Sequence, residues 1–302
     1  MSILTLSQVS KSFGGHPVVH DLSFSVRERS IFGFIGQNGA GKTTTMKMIL
    51  GLLPADQGEI KVNGERVLFG QTPTNRHIGY LSDVPEFYGF MTAIEYLALC
   101  GKITGMTPAA YKRKSAELLE LVGLKKIDQR IQGFSRGMKQ RLGIAQALLN
   151  DPLLLICDEP TSALDPVGRK EVLELLLLVK NHTTVVFSTH ILSDVERICD
   201  ELAFLHKGRI VSSGTLRQIK ESPQHSGLKL ELEFDSENDR DRFKALFPDS
   251  LFTAPRTLRL DQRMEADMLD ILRVLTEHQL PVRRIEKLEH SLEDLFTELV
   301  RE

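Results

Sequence analysis

The run Gly36-Gln37-Asn38-Gly39-Ala40-Gly41-Lys42-Thr43 constrains this chain more than any other feature, because it fits G-x-x-x-x-G-K-[ST] and stands between a β-rich run, SIFGFIG (30–36), and a helical one. The helix starts near Lys42 and fails between Gly51 and Pro54. Glycines in such a loop let successive backbone N–H groups turn inward as an anion nest, and the positive end of the following helix faces the same point. Lys42 adds a point charge for terminal phosphates, Thr43 a hydroxyl for magnesium, and Thr44 a further phosphate contact. A chain built around this loop is expected to be an α/β protein with its ligand at the carboxyl ends of the strands.

Two more strand ends carry groups suited to such a ligand. LLLICDEP (153–160) is an apolar run that closes on Asp158 and Glu159. Asp158 is the candidate to hold magnesium, and Glu159 to accept a proton from an attacking water. TTVVFST (183–189) closes on His190. Alone, a strand-end histidine is more often a structural hydrogen-bonder; beside the carboxylates, on a parallel strand, it becomes a catalytic candidate.

Composition removes several function classes. The 302 residues are 41% apolar with 22 glycines and 12 prolines, which excludes a disordered or collagen-like chain. A net charge of −2 gives no global field toward nucleic acid, and no nucleic-acid partner is expected. Cys100, Cys157 and Cys199 lie too far apart for zinc or disulfide spacing, which reads as a reducing compartment. The densest apolar run, VLELLLLV at 172–179, is interrupted by Glu174 and too short to span a bilayer. Work at a membrane would therefore need another polypeptide to cross it.

Residues 92–150 read as a helical insert, with apolar positions at three- and four-residue steps in AIEYLALC, YKRKSAELLELVG and GMKQRLGIAQALLN. Asn150-Asp151-Pro152 resets the chain to the acidic strand, a helix over 168–180 follows, and strand–helix–strand alternation predicts a parallel sheet covered by helices. ESPQHSG (221–227) marks a shift in composition. The expected division is a nucleotide-binding domain over 1–221 with its helical subdomain over about 84–150, a linker at 222–227, and an α+β unit over 228–302. The order β-α-β-β-α-β plus a last helix predicts a ferredoxin-like arrangement for that last unit.

Over about 1–217 the chain resembles the nucleotide-binding subunit of an ATP-binding cassette (ABC) transporter. Besides the P-loop and the acidic strand, Phe134-Ser135-Arg136-Gly137-Met138-Lys139-Gln140-Arg141 stands where that family carries its L-S-G-G-Q signature. Ser162-Ala163-Leu164-Asp165 is similar to its D-loop, and HKGRIVSSGT (206–215) is also typical. The resemblance implies a magnesium-dependent ATPase of P-loop cassette fold, a mixed or parallel sheet with helices and a helical subdomain. It implies a dimer, of two copies or of this chain with a relative, in which each ATP lies between the P-loop of one subunit and the Ser135 and Gly137 signature of the other. Phe13 is placed where the family puts an aromatic that stacks on adenine, although from the residue alone an apolar side chain of this kind is more often a core residue. No N-K-x-D pattern for reading guanine occurs.

Two positions depart from the family pattern. Asp83 aligns with the Q-loop glutamine; a carboxylate can still meet magnesium but cannot donate a hydrogen bond. Arg136 replaces the first signature glycine, putting a cation where a phosphate is expected and a side chain where the backbone was free. The chain has one cassette and no long coiled coil, unlike translation-factor and chromosome relatives, so a separate transporter subunit is the expected role. It would be peripheral on the cytoplasmic face of the membrane and held by a transmembrane permease subunit. The tail SLEDLFTELVRE (291–302) is similar to exporter-type subunits. Phe87, Tyr88, Phe90 and Met91 are candidates for the permease contact or for the core. A dimerising switch acting on a non-transport partner is the alternative function, and the C-terminal unit reads as a dimerisation scaffold or a small-molecule sensor.

Overall fold

The computed structural model describes residues 1–70, 72–125, 127–220, 228–262, 268–288 and 291–301. They form two compact units, Met1–Leu216 and Arg217–Glu302. The 222–227 segment read as a linker lies outside the described residues.

Strands β1 (Ser2–Phe13) and β2 (His16–Arg27) make an antiparallel hairpin closed by Gly14-Gly15, both at positive φ. Both run further than their apolar stretches suggest, because Ser12 pairs with Pro17 and Phe13 with His16 beyond them. The next strand, β3 (Ile31–Ile35), leaves this sheet for a different one and feeds the glycine loop and α1 (Lys42–Ile49). The chain then returns to the hairpin with β4 (Gln57–Val62) and the short β5 (Glu65–Arg66), giving the order β2-β1-β4-β5.

A strand that the sequence did not announce, β6 (Ile78–Leu81), opens the helical region α2 (Ala93–Ile103), α3 (Pro108–Leu121) and α4 (Arg136–Ala147). Local chemistry starts each helix. Thr92 and Glu95 form a capping box on α2, Thr107 caps α3 ahead of Pro108, and Ser135 caps α4. After these come β7 (Leu154–Asp158), α5 (Pro166–Val179), β8 (Thr184–Thr189), α6 (Leu192–Ile198), β9 (Glu201–His206), β10 (Arg209–Thr215) and α7 (Leu216–Lys220).

The second sheet has the order β10-β9-β3-β8-β7-β6, parallel throughout except for β10. Every residue of β3, β7 and β8 is buried, as expected for central parallel strands covered on both faces. The antiparallel sheet packs toward this one around α1, joining Leu4, Leu6 and Leu22 to Phe34, Met46 and Ile156 in one core cluster. Phe24 stacks on Phe32 at 5.3 Å.

The C-terminal unit contains β11 (Leu228–Phe234), α8 (Glu237–Leu246), β12 (Leu251–Ala254), β13 (Thr257–Gln262), α9 (Met268–Glu277), β14 (Val282–Lys287) and α10 (Leu292–Arg301). Its sheet order is β12-β13-β11-β14 with every pairing antiparallel. That is the ferredoxin-like topology, in which each crossover skips one strand. Leu230, Leu232 and Phe234 face a core with Phe243, Leu258, Leu260 and Ile271. No helix among the described residues is long and apolar enough to cross a membrane. All three cysteines are free.

Gly79 of β6 passes so close to α4 that an added Cβ would stand 2.2 Å from the Ala147 carbonyl oxygen. Gly79→Ala therefore forces strand and helix apart and is expected to destabilise the first unit by about 1–3 kcal/mol. A lowered urea midpoint with an unchanged slope is the expected measurement.

Candidate nucleotide site

Strand register gathers the candidate residues. Ile35 at the end of β3 lies opposite Thr189 of β8, and Asp158 at the end of β7 lies opposite Ser188. The glycine loop, the two carboxylates and His190 therefore emerge at one edge of the sheet. The loop itself is held by two glycines. Gly41 begins α1 at φ 108°, a left-handed conformation, and a Cβ on Gly36 would meet the Leu205 carbonyl oxygen at 2.6 Å.

A cavity of about 290 Å³ opens over this loop, bordered by Asn38, Gly39, Gly41, Lys42, Thr43, Thr44, Asp83, Asp158 and Glu159, with Val18 and Gln37. Gly36 and Ala40 form its turn without facing it. Lys42 is buried and donates from Nζ to the Gly36 carbonyl at 2.6 Å, and it lies 3.1 Å from Glu159 Oε1. Thr43 Oγ1 donates to Asp158 Oδ2 at 2.9 Å. Ser188 Oγ donates to the other Asp158 oxygen at 2.5 Å and accepts from the Glu159 N–H at 3.0 Å. Burial, reinforced by the Asp158 carboxylate, pushes the Tyr80 phenol up to about 12, so it stays neutral.

Glu159 has a left-handed backbone, φ 48°, which turns its side chain away from the direction of Asp158. Its Oε2 lies 2.8 Å from His190 Nδ1. Its Oε1, buried, makes no hydrogen bond although Lys42 is near. A carboxylate oriented by an imidazole at one oxygen, with the other paired only to a lysine that phosphate can draw away, fits a proton acceptor for water. The hard oxygen pair of Thr43 and Asp158 fits magnesium, which takes few protein ligands and completes its shell with phosphates and water. When bound, that ion would supply positive charge to the phosphates; no cluster of three or more His, Cys, Asp or Glu suited to a metal occurs among the described residues.

Other expected residues lie elsewhere. Phe13 is 46% exposed at the end of β1 with Lys11 over its ring at 5.5 Å, so it is not a core residue. Ser135, the cap of α4, accepts from the Met138 N–H at 3.2 Å, and neither it nor Gly137 borders the cavity of its own chain. The two departures from the family pattern face one another: Arg136 Nη2 lies 4.0 Å from Asp83 Oδ1, which also accepts from Ser162 Oγ at 2.6 Å. Asp83 and Arg136 border a second, larger hollow of about 490 Å³ with Val84, Phe87 and Lys139. Beside it Tyr88 and Phe90 are exposed, and Phe87 packs edge-on against Tyr96 at 5.0 Å.

A family model described as ABC transporter matches residues 19–162. The "Uncharacterized ABC transporter ATP-binding protein YxlF" of Bacillus subtilis is 37% identical over 305 aligned residues, covering 99% of each chain. This chain belongs to the ABC transporter ATP-binding proteins. The "Linearmycin resistance ATP-binding protein LnrL" of the same organism is 37% identical over 70% of this cassette protein and 69% of its own length. A solved "Structure of ATP binding subunit of ABC transporter" superposes with a TM-score of 0.66 at 34% identity, over 74% of this chain and 94% of that one.

Sequence reasoning missed Ser188, which sits inside a wholly buried strand run with nothing local to mark it. Ser188→Ala would leave a buried Asp158 oxygen without a donor, costing about 1–3 kcal/mol of stability. Thermal unfolding should fall accordingly, and the stabilisation by Mg-ATP should shrink because Asp158 is no longer held against Thr43.

Proposed function

We propose that this chain is a magnesium-dependent ATPase that powers a membrane transporter in the outward direction through a separate permease. The observation that carries the reading is the convergence of Lys42, Thr43, Asp158 and Glu159 on one cavity, with His190 bonded to Glu159. Lys42 and the loop N–H groups bind and orient the phosphates. Thr43 and Asp158 hold magnesium. Glu159 takes the proton of the attacking water at Oε1, which Lys42 leaves when it turns to the phosphates, and His190 fixes the carboxylate through Oε2.

The cavity supports a two-copy site. Its volume of about 290 Å³ lies at the lower end of the roughly 300–1,000 Å³ common for enclosed ligands. A second subunit's Ser135 and Gly137, at the positive end of α4, would complete it around ATP. That partner is another copy or a related ATP-binding subunit. Phe13, exposed and able to rotate onto a ring, is assigned to adenine. ATP touches both subunits whereas ADP lacks the outer phosphate, so hydrolysis changes the affinity between them, which is the condition for a ligand to drive a conformational equilibrium. Tyr88 and Phe90 beside the larger hollow form the permease contact, which holds the protein at the cytoplasmic face of the membrane. Outward transport is supported by likeness to a protein named for resistance, since removal of a toxic compound protects a cell.

Glu159→Gln tests the reading. The variant should bind ATP, lose about 10²- to 10⁴-fold in hydrolysis and accumulate as a dimer by light scattering. A variant that stays monomeric at saturating Mg-ATP would remove the two-copy site, and one that hydrolyses normally would remove Glu159 as the base. Co-purification with a soluble protein in place of a multi-span one would favour the alternative, a dimerising switch.

A further inference from the structure

We infer that Asp194 is the positioning residue of this site: it fixes the loop that follows Glu159 against the helix that follows His190. The inference rests on the hydrolytic reading above. Asp194 is 2% exposed, a fully buried carboxylate that no step of nucleotide binding uses. Its Oδ2 accepts from Thr161 Oγ1 at 2.6 Å and its Oδ1 from Arg169 Nε at 2.5 Å. Arg169 also donates from Nη2 to Ser193 Oγ at 2.8 Å. One side chain thus ties together three segments: the loop carrying Glu159, the first turns of α5, and α6.

The loop needs such an anchor. Glu159 and Ala163 both adopt left-handed backbone, at φ 48° and 52°, on either side of Thr161. Non-glycine residues in that region are strained and persist only where their surroundings hold them. Thr161 is held by Asp194, and its neighbour Ser162 by Asp83. The other end of the device is at His190: α6 begins at Leu192, so Asp194 sits in the first turn after the histidine. Asp165 caps α5, the helix that carries Arg169, by accepting from the Gly168 N–H. Loosening the Thr161–Asp194 bond frees the Glu159 turn relative to His190, which alters proton transfer. Lys42 and Thr43 stand on α1 and are untouched, so nucleotide affinity is preserved.

Thr161→Val removes the hydroxyl while keeping the shape; Thr161→Ser keeps it. In the full-length protein, Thr161→Val should lower kcat about tenfold, as small displacements in a reacting geometry do. The Kd for trinitrophenyl-ATP should stay within about twofold of wild type, and Thr161→Ser should retain most of the turnover. Asp194→Asn should lose at least as much as Thr161→Val. Hydrogen–deuterium exchange of the peptide spanning 159–165 should quicken in Thr161→Val and not in Thr161→Ser. Wild-type turnover in Thr161→Val, equal losses in both threonine variants, or a Kd that weakens in step with kcat would overturn the inference. If the wild-type protein does not hydrolyse ATP, the functional reading fails, and unchanged exchange in Thr161→Val would still defeat the anchor on its own.

Discussion

The first unit depends on the register between three buried parallel strands. Because β3, β7 and β8 pair residue for residue, the loop after Ile35, the turn after Asp158 and the residue after Thr189 all leave the sheet at the same level. Close packing on both faces fixes this register, since sliding any strand by one residue would exchange its side chains between two differently shaped cores. Site geometry is therefore a by-product of core packing. The carboxylates need no long loops to reach the cavity over the glycine loop, and the sheet sets their positions.

Electrostatics then organises what packing has gathered. Asp158 is shared between Thr43 and Ser188, Glu159 between Lys42 and His190, and Asp194 between Thr161 and Arg169. Each buried carboxylate has a cation or hydroxyl facing it, which is how charge survives in a low-dielectric interior. The half-exposed pair Asp83 and Arg136 is different in kind. Solvent screens it, so it contributes little to stability and is free to exchange partners.

Much of the site could be read along the chain because P-loop chemistry is local: loop, lysine and hydroxyl are contiguous, and the acidic strand end and His190 follow apolar runs that betray buried strands. Thr161, Arg169 and Asp194 could not be read that way. They are a common threonine, a helix-face arginine and a helix-face aspartate, and only the approach of α5 to α6 makes them a cluster. Phe13 was ambiguous for a related reason: an aromatic at a strand end looks alike whether covered or bare. The strand β6 escaped notice because Gly79 and Tyr80 weaken the β pattern in so short a run.

By itself the sequence determined the glycine loop between its strand and helix, the central strands β3, β7 and β8, the helical insert and the βαββαβ pattern of the C-terminal unit, since these follow from periodicity, capping and turn residues within short windows. Tertiary structure decided the rest. It sent β3 to a different sheet from the strands on either side of it, paired Glu159 with His190, brought the two unusual residues Asp83 and Arg136 together, and buried Asp194. Those outcomes depend on contacts between residues far apart in the chain, whose free energy exists only once the sheets and helices have packed.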